Sequence, residues 1–575
     1  MGEADRKRDA GLTGRVSDAR KRIAAARVPP QSAPMNVLAF LRHPLSLLLA
    51  VSAVIALAWY GLGLPVEMPR SPFAAGEKLH CVSYDPLSSE SIERGEIVSP
   101  EQIDSDLARL APLTSCIRTY RTAGGLDHLP DIAARHGLGV WQGIAIGRDT
   151  ARNDDEIERA IALAPTHRDV IRAFIVGSEV LSRRDMPSNE LAALLKRVRS
   201  WTGIPVTYAD RWDIWLEAET LAAAVDFIMV HVELYQAYFP VPASEANREM
   251  VGARARVAVR FPGKKVVVGE AGWPSAGRMR EAALPSPVTQ ARVLHQFATA
   301  AKAGDFELNL FEGFDQPWRR TQEGIAGSHW GLLDADKDTP KFLWGRAVSN
   351  HPLWFTQGSL GVMLAFVVFA AAYAAARSFG LPGPRAANWW PVALVALAAG
   401  IPVGWAVAEI PLQSSSILDW LYSLISIGLA FAFPPVAAAS LILRTPVEGF
   451  AIPLNERFRK AVGPLGITVA VAFVLTVVLS LQQAFGLVFD PAHRSFPFAP
   501  LTGPIVALLV LVLRNPAGSP HDGVAETLAA AALAASALFI AVNETLWNWQ
   551  AQWFAVLLLA LAWACRRARA GQIPG

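Results

Sequence analysis

Apolar runs of two lengths alternate with polar stretches along this chain, and the change in length divides it into three parts. Pro44 to Leu64 is an uncharged apolar run, about the ~20 residues that cross a bilayer as a helix. From Lys78 to Asn350 the runs shorten to strand length. Leu79–Tyr84, Ser115–Tyr120, Gly137–Ile146, Ile171–Val176, Pro205–Asp210, Asp226–Val232, Lys265–Gly269 and Leu308–Phe314 are predicted strands. Helical periodicity lies between them, at Pro100–Leu110, Asp154–Leu163, Ser188–Trp201 and Val288–Ala303. After Leu353 long apolar runs return. Leu360–Ala376, Trp390–Ala408, Ile417–Leu443, Leu465–Leu481, Leu501–Leu513, Glu526–Val542 and Ala551–Ala564 are predicted spans, with a kink expected at Pro434-Pro435 in the third.

This rhythm predicts an α/β fold, a (β/α)8 TIM barrel set between an N-terminal transmembrane anchor and a C-terminal bundle of about seven transmembrane helices. A doubly wound sheet would need a Gly-rich phosphate loop after its first strand, and Ser83-Tyr84-Asp85-Pro86 is not one. The expected domains are a basic cytoplasmic tail (1–43), the anchor (44–64), the barrel (65–350) and a multi-spanning domain (351–575).

Composition agrees with the membrane reading: 52% of the 575 residues are hydrophobic and 18% charged, too apolar for a wholly soluble protein of this size. The net charge of +3 is near balance, and the placement of the basic residues speaks for membrane orientation and against nucleic acid. Arg377, Arg385, Arg444, Arg457, Arg459, Lys460, Arg514, Arg566, Arg567 and Arg569 fall on one side of the predicted spans. The opposite loops, around Glu409–Ser416, Phe485–Pro500 and Asn543–Gln550, hold only Arg494. The positive-inside rule then places both termini in the cytoplasm and the barrel outside it.

Three cysteines show no metal spacing. A Cys81–Cys116 bridge is open if the region is exported, but two core thiols are the favoured reading. Asp334–Asp338 reads as a solvated turn rather than a calcium loop. The absence of a P-loop argues against nucleotide hydrolysis and activated-sugar polymerisation. Asp419 and Glu526 lie near predicted span ends, which argues against a proton-coupled transporter. No metal and no cofactor are expected.

The chemistry centres on two glutamates at strand ends. Glu270 follows Val266-Val267-Val268-Gly269, and Glu179 follows Phe174-Ile175-Val176-Gly177-Ser178. The C-terminal ends of barrel strands are where catalytic groups lie. Retaining glycosyl transfer needs two carboxyl groups about 5–5.5 Å apart, one attacking the anomeric carbon and one protonating the leaving oxygen. Either glutamate alone reads as well as an ordinary strand-end residue paired to an arginine. Trp273, Trp318, Trp330 and Tyr235 follow strand ends, where flat faces can stack on sugar rings, with Trp273 and Trp318 favoured. Trp212 and Trp215 either do the same or pack the outside of the barrel. Arg118, inside an apolar strand, is expected to orient a carboxylate or a sugar hydroxyl.

Gly269-Glu270-Ala271-Gly272-Trp273-Pro274-Ser275 resembles the nucleophile signature of glycoside hydrolase family 17, the β-1,3-glucanases and β-glucan transglycosylases. Val176-Gly177-Ser178-Glu179-Val180 is similar to its acid/base motif. Ile117-Arg118-Thr119-Tyr120, Phe311-Glu312-Gly313-Phe314-Asp315-Gln316-Pro317-Trp318 and His329-Trp330-Gly331-Leu332 extend the resemblance from Leu79 to Pro340. It implies a (β/α)8 barrel with Glu270 as nucleophile and Glu179 as general acid/base. It further implies Arg118, Tyr120, Ser178, His231, Glu233, Tyr235, Trp273, Glu312, Trp318 and Trp330 as substrate-binding residues.

Four departures from the family pattern stand out. Ser178 replaces the usual Asn, whose amide helps bind the sugar 2-hydroxyl. His231-Val232-Glu233-Leu234-Tyr235 replaces an aromatic proline-containing run, so Glu233 is either a third carboxylate near the site or a partner of Arg211. Gln316 and Arg319 replace a Glu and a Lys.

The whole arrangement is similar to rhizobial NdvC-type membrane proteins of cyclic β-(1,3),(1,6)-glucan synthesis. The expected function is a membrane-anchored retaining transglycosylase of the bacterial inner membrane, its barrel in the periplasm, introducing β-1,6 linkages into β-1,3-glucan. The alternatives are an endo-β-1,3-glucanase and a non-catalytic glucan-binding export or scaffold protein. Partners implied are β-1,3-glucan, the lipid bilayer and a membrane glucan synthase, with no nucleic acid.

Overall fold

The computed structural model describes residues 43–335, 339–378, 389–447, 449–450, 456–489, 494–515 and 523–569. The basic tail and part of the Asp334–Asp338 turn lie outside these. Eight parallel strands close into a barrel in chain order. They are β1 (Cys81–Ser83), β2 (Cys116–Arg118), β3 (Gly139–Ile144), β4 (Ile171–Ser178), β5 (Val206–Arg211), β6 (Ile228–His231), β7 (Val266–Ala271) and β8 (Leu308–Leu310). Closure is made by β1 against β8, with Cys81 opposite Asn309 and Val82 opposite Leu310. Each predicted strand is present, so the fold is the (β/α)8 barrel.

The helices between strands start where the sequence supplies caps. Ser99, Asp149 and Ser286 accept hydrogen bonds from backbone N–H groups of the first turns of Pro100–Leu110, Thr150–Leu163 and Pro287–Ala303. Alternation along the strands then sorts side chains into two layers. Phe174, Val176, Val206, Val230, Val266 and Val268 face the helices. Cys81, Cys116, Trp141, Ala173, Ile175, Ala209, Met229 and Val267 fill the lower barrel interior.

Within that plug Cys81 and Cys116, on adjacent strands with Cα atoms 4.3 Å apart, are joined by a disulfide. The favoured reading of two free core thiols is therefore corrected. Neighbouring parallel strands bring inward-facing residues to bridging distance, which the linear separation did not reveal.

Beyond the barrel, helices run over Trp354–Ser378, Trp389–Gln413, Ile417–Leu443, Glu456–Phe489, Phe498–Arg514, Val524–Asn543 and Trp549–Arg569. Among the described residues six helices, counting Pro44–Gly63, are long and apolar enough to cross a membrane, and Phe498–Arg514 is a shorter apolar helix. The helix Ile417–Leu443 continues through Pro434 and Pro435. A residue with non-helical backbone, Gly463 at φ 68°, lies next to Pro464 inside Glu456–Phe489, where glycine tolerates the left-handed region.

The loops after β7 and β8 rest on the ends of these helices. Asn548 Nδ2 donates to Met279 O (2.9 Å), Met279 N donates to Gln550 Oε1 (3.3 Å), and Arg278 pairs with Glu544. Arg320 donates to the carbonyls of Pro411 and Leu412. The C-terminal rim of the barrel, not its base, thus meets the helical bundle.

Candidate functional site

Glu270 lies in β7, and strand alternation alone would turn it outward with Val266 and Val268. Two local irregularities turn it inward. Opposite β6 the register passes from Val230↔Val268 to His231↔Glu270, so two β7 residues face one. Opposite β8 the register also shifts between Val268 and Ala271. Bulges of this kind bend a strand and redirect a side chain. Gly269 makes the bend possible, because a Cβ there would lie 2.3 Å from Met229 Cγ.

The redirected carboxylate is 6% exposed and meets two donors beside an imidazole nitrogen. Glu270 Oε1 accepts from Arg118 Nη1 (2.7 Å) and Tyr120 OH (2.8 Å), with His231 Nε2 at 3.3 Å. All of these contacts fall on one oxygen, which leaves Oε2 without a hydrogen bond among the described residues. Burial pushes the Tyr120 phenol well above its ordinary value, with Arg118 opposing and Glu270 adding to the rise, so the hydroxyl remains a donor.

Arg118 is fully buried and is the hub. It donates also to Gly269 O (2.8 Å), and its Nη2 lies 3.0 Å from His231 Nε2 and 3.4 Å from Ser178 Oγ. A guanidinium has only donors. His231 Nε2 therefore accepts from it, which leaves the ring proton on Nδ1, 2.9 Å from Glu179 Oε1. The two strand-end glutamates are joined through one imidazole and one guanidinium. Asn309 Nδ2 supports the same ring by donating to Ser83 Oγ (2.8 Å) and Gly269 O (2.6 Å).

Glu179 follows β4 in the left-handed region, φ 58°, after Gly177 at φ 83°, a conformation costing a non-glycine residue about 1–3 kcal/mol. Its N–H donates to Ala209 O (2.8 Å), which holds the turn. Burial raises the Glu179 carboxyl, but the His231 hydrogen bond together with the Arg183 and Arg118 charges outweighs it, so the group lies below its ordinary value.

Both glutamates line an open cleft of about 1130 Å³ at the rim, with Tyr120, Ser178, Glu233, Phe311, Trp318 and Arg319 also on its walls. Burial, then the charges of Glu179, Glu270 and Glu323, pushes the Glu233 carboxyl well up. Arg211 pairs with Asp213 rather than with Glu233. Glu312 is buried below the cleft wall and is also pushed well up, mainly by burial, with Arg319 opposing. Arg319 stands between Asp85 (3.1 Å), Glu323 (3.2 Å) and Glu312 (3.5 Å). Burial would lower its guanidinium, and the three carboxylates more than reverse that.

The aromatic residues divide. Trp318 is half-buried on the cleft wall, beneath the Arg319 guanidinium at 4.5 Å from its ring centroid. Trp273 is fully buried, its Nε1 donating to Leu284 O (3.1 Å), and Trp330 is 3% exposed. The structure does not bring these two to the cleft, because the strand-end turns fold their rings beneath Tyr235 at centroid distances of 6.1 and 6.0 Å. Tyr235 itself donates to Arg278 O (2.6 Å) on the side of the helical bundle. Trp215 is fully buried with Nε1 on Met229 O (2.8 Å), and Trp212 packs under Arg256, so both serve the outer layer.

Asn309, Ser83 and Asp85 carry parts of this network that the sequence reading did not single out. A lone amide between Leu308 and Leu310 was the available signal for Asn309. Among the described residues no group of His, Cys, Asp and Glu could hold a metal ion.

The barrel is similar in sequence to known proteins. Residues 81–331 match the sequence model of the BtgE/BtgC glycoside hydrolase domain. The glucan 1,3-beta-glucosidase of Arthroderma benhamiae is 26% identical over 271 residues, covering 43% of this chain and 85% of that protein. The glucan 1,3-beta-glucosidase of Schizosaccharomyces pombe is 28% identical over 248 residues, covering 38% and 74%. A glycoside hydrolase family 17 beta-1,3-glucanosyltransferase from Rhizomucor miehei aligns over 46% of this chain and 97% of that one, at 24% identity and a TM-score of 0.42. The chain is an enzyme, and its barrel is similar over residues 81–331 to a glycoside hydrolase domain.

Proposed function

We propose that the protein is a membrane-anchored retaining β-glucan transglycosylase acting on β-1,3-glucan. The observation that carries this reading is the Glu179–His231–Arg118–Glu270 relay at the cleft floor, combined with curated relatives named for action on 1,3-linked glucan. Glu270 is the nucleophile. Arg118 and Tyr120 hold Oε1, and Oε2 attacks the anomeric carbon as the bond to the leaving oxygen breaks. Glu179 gives that oxygen its proton.

In the glucosyl-enzyme Glu179 is the base. It takes the proton of an acceptor hydroxyl, whose oxygen displaces Glu270 and restores the β configuration. Glu179 takes up its first proton from solvent, and Glu233 stands on the same wall, its carboxyl pushed up by burial and by the nearby Glu179 and Glu270 charges. Ser178 stands where an amide would bind the sugar 2-hydroxyl, and its short hydroxyl favours a water-mediated contact. Trp318 stacks on a sugar ring. Transfer to a 6-hydroxyl, giving β-1,6 branches or ring closure in a glucan product, is the outcome we favour over hydrolysis.

The protein lies in a bacterial inner membrane with the barrel in the periplasm. The loops that charge assigns to the outside, around Glu409–Ser416, Phe485–Pro500 and Asn543–Gln550, hold the Leu412, Phe496 and Glu544 contacts with the barrel. A disulfide between Cys81 and Cys116 suits an oxidising compartment. The bundle would hold the enzyme beside a membrane glucan synthase.

The test is the full chain in detergent with a reducing-end-labelled β-1,3-gluco-oligosaccharide, products followed by mass spectrometry and NMR. Products longer than the donor, some carrying 1,6 bonds, are expected. Glu270→Gln should lower their formation by on the order of 10³-fold or more. Only shorter products would make the protein a hydrolase, and no reaction with any β-1,3-glucan would sink the reading.

A further inference from the structure

A second cavity, of about 560 Å³, lies between the barrel rim and the helical bundle, within the ~300–1,000 Å³ of small-molecule sites. Tyr235, Tyr238 and Arg280 stand on its barrel side, and Arg494, Asn543 and Glu544 on its helical side. Gln236 and Glu323 line both this cavity and the cleft that holds Glu179 and Glu270. They meet through a 2.6 Å hydrogen bond from Gln236 Nε2 to Glu323 Oε2. The two spaces therefore adjoin at one side-chain pair.

The lining points to a neutral, hydroxyl-rich occupant. Two of its three arginines are committed: Arg280 donates to the carbonyls of Tyr235 (2.6 Å) and Ala237 (3.1 Å), and Arg278 pairs with Glu544. The lining carboxylates Glu281, Glu323 and Glu544 equal the arginines Arg278, Arg280 and Arg494 in number, so an anion finds no surplus of positive charge. At the mouth Tyr238 and Phe239 are 86% and 74% exposed, packed edge to face with centroids 4.7 Å apart. Two large rings left in solvent beside hydrogen-bonding groups suit the apolar faces of pyranose rings.

We propose that this cavity is the distal stretch of the glucan groove. A β-linked glucose chain longer than the catalytic cleft passes the Gln236–Glu323 pair and runs between the barrel and the helical bundle, with Tyr238 and Phe239 as its outer platform. The inference rests on the proposed β-glucan activity and adds the route by which a long chain reaches it.

The experiment uses the full chain carrying Glu270→Gln, so that bound sugar is not consumed, and measures the Kd of a β-1,3-linked trisaccharide and decasaccharide by calorimetry. The decasaccharide should bind about tenfold more tightly, and adding Tyr238→Ala with Phe239→Ala should erase that gain while the trisaccharide Kd stays put. Tyr238→Trp should keep the gain. Both rings are exposed, so folding is not at stake.

An equal loss at both lengths, or no loss at either, overturns the distal groove and leaves the catalytic reading intact. Loss of a co-purifying phospholipid, seen by native mass spectrometry without any change in sugar binding, overturns it in favour of a lipid headgroup. Failure of both sugars to bind, with the unmutated chain inactive on β-1,3-glucan, brings down both proposals.

Discussion

The two ends of the barrel interior are built on the same strands from opposite materials. At the base Cys81, Cys116, Trp141, Met229 and Val267 form an apolar plug closed by a disulfide. Two residues further along β2 and β6 stand Arg118 and His231, which with Glu270 and Glu179 form a buried charged relay. Alternation explains both, since residues two apart point the same way. The base gains stability from burial, which is non-directional, and from a cross-link between neighbouring strands. The rim holds its charges out of water only because each is met by a partner, and losing one partner exposes the desolvation cost of the others.

The largest break in this contrast is expected from Arg118→Met. It leaves Glu270 and His231 without their shared donor, and breaking a buried pair of this kind costs about 3–5 kcal/mol. The rate should fall by on the order of 10²-fold or more, because the carboxylate we propose as nucleophile loses the bond that orients it. Thermal unfolding of the full chain in detergent and product formation from a labelled oligosaccharide check the two halves. A variant that keeps its rate would remove Arg118 from the relay.

A smaller effect, of opposite character, is expected at the base. Cys81→Ser with Cys116→Ser removes a cross-link over a sequence separation of 35, worth about 2–4 kcal/mol. Turnover at a temperature where the variant stays folded should be unchanged. A parallel loss of rate and stability would mean that the plug positions the rim.

The smallest effect sharpens the rim itself. Glu233 is raised well above its ordinary value when folded. The stability linked to its proton is full below the ordinary carboxylate range and is lost as pH rises through the raised value. Glu233→Gln removes that loss, so its unfolding temperature should fall less between pH 5 and pH 8 than that of the parent, by a few degrees. Removing the Glu233 charge from beside Glu179 and Glu270 should also move the alkaline limb of kcat/KM. An unchanged limb would confine Glu233 to binding.

Much of this was legible in one dimension. The eight strand-length runs, the long apolar runs and the two strand-end glutamates follow from local periodicity, which depends only on which residues neighbour one another along the chain. The aromatic platforms were less so: Trp273 and Trp318 both follow strand ends, yet one is fully buried and the other lies on the cleft wall. Whether a ring at a turn faces the cleft or packs beneath it depends on the path of the loop, which strand propensity does not encode. The same limit applied to Cys81 and Cys116, whose pairing depended on the register of adjacent strands.

By itself, then, the sequence determined the alternating architecture, the long apolar helices and the glutamates at the ends of β4 and β7, because each is a pattern of composition and spacing. The tertiary structure alone decided that Glu270 turns inward against the parity of its strand, that Arg118 and His231 join it to Glu179, and that the barrel rim meets the helical bundle. These depend on a bulge, on side chains from four strands converging at one point, and on contact between segments more than two hundred residues apart. Such distances become short only when the barrel closes.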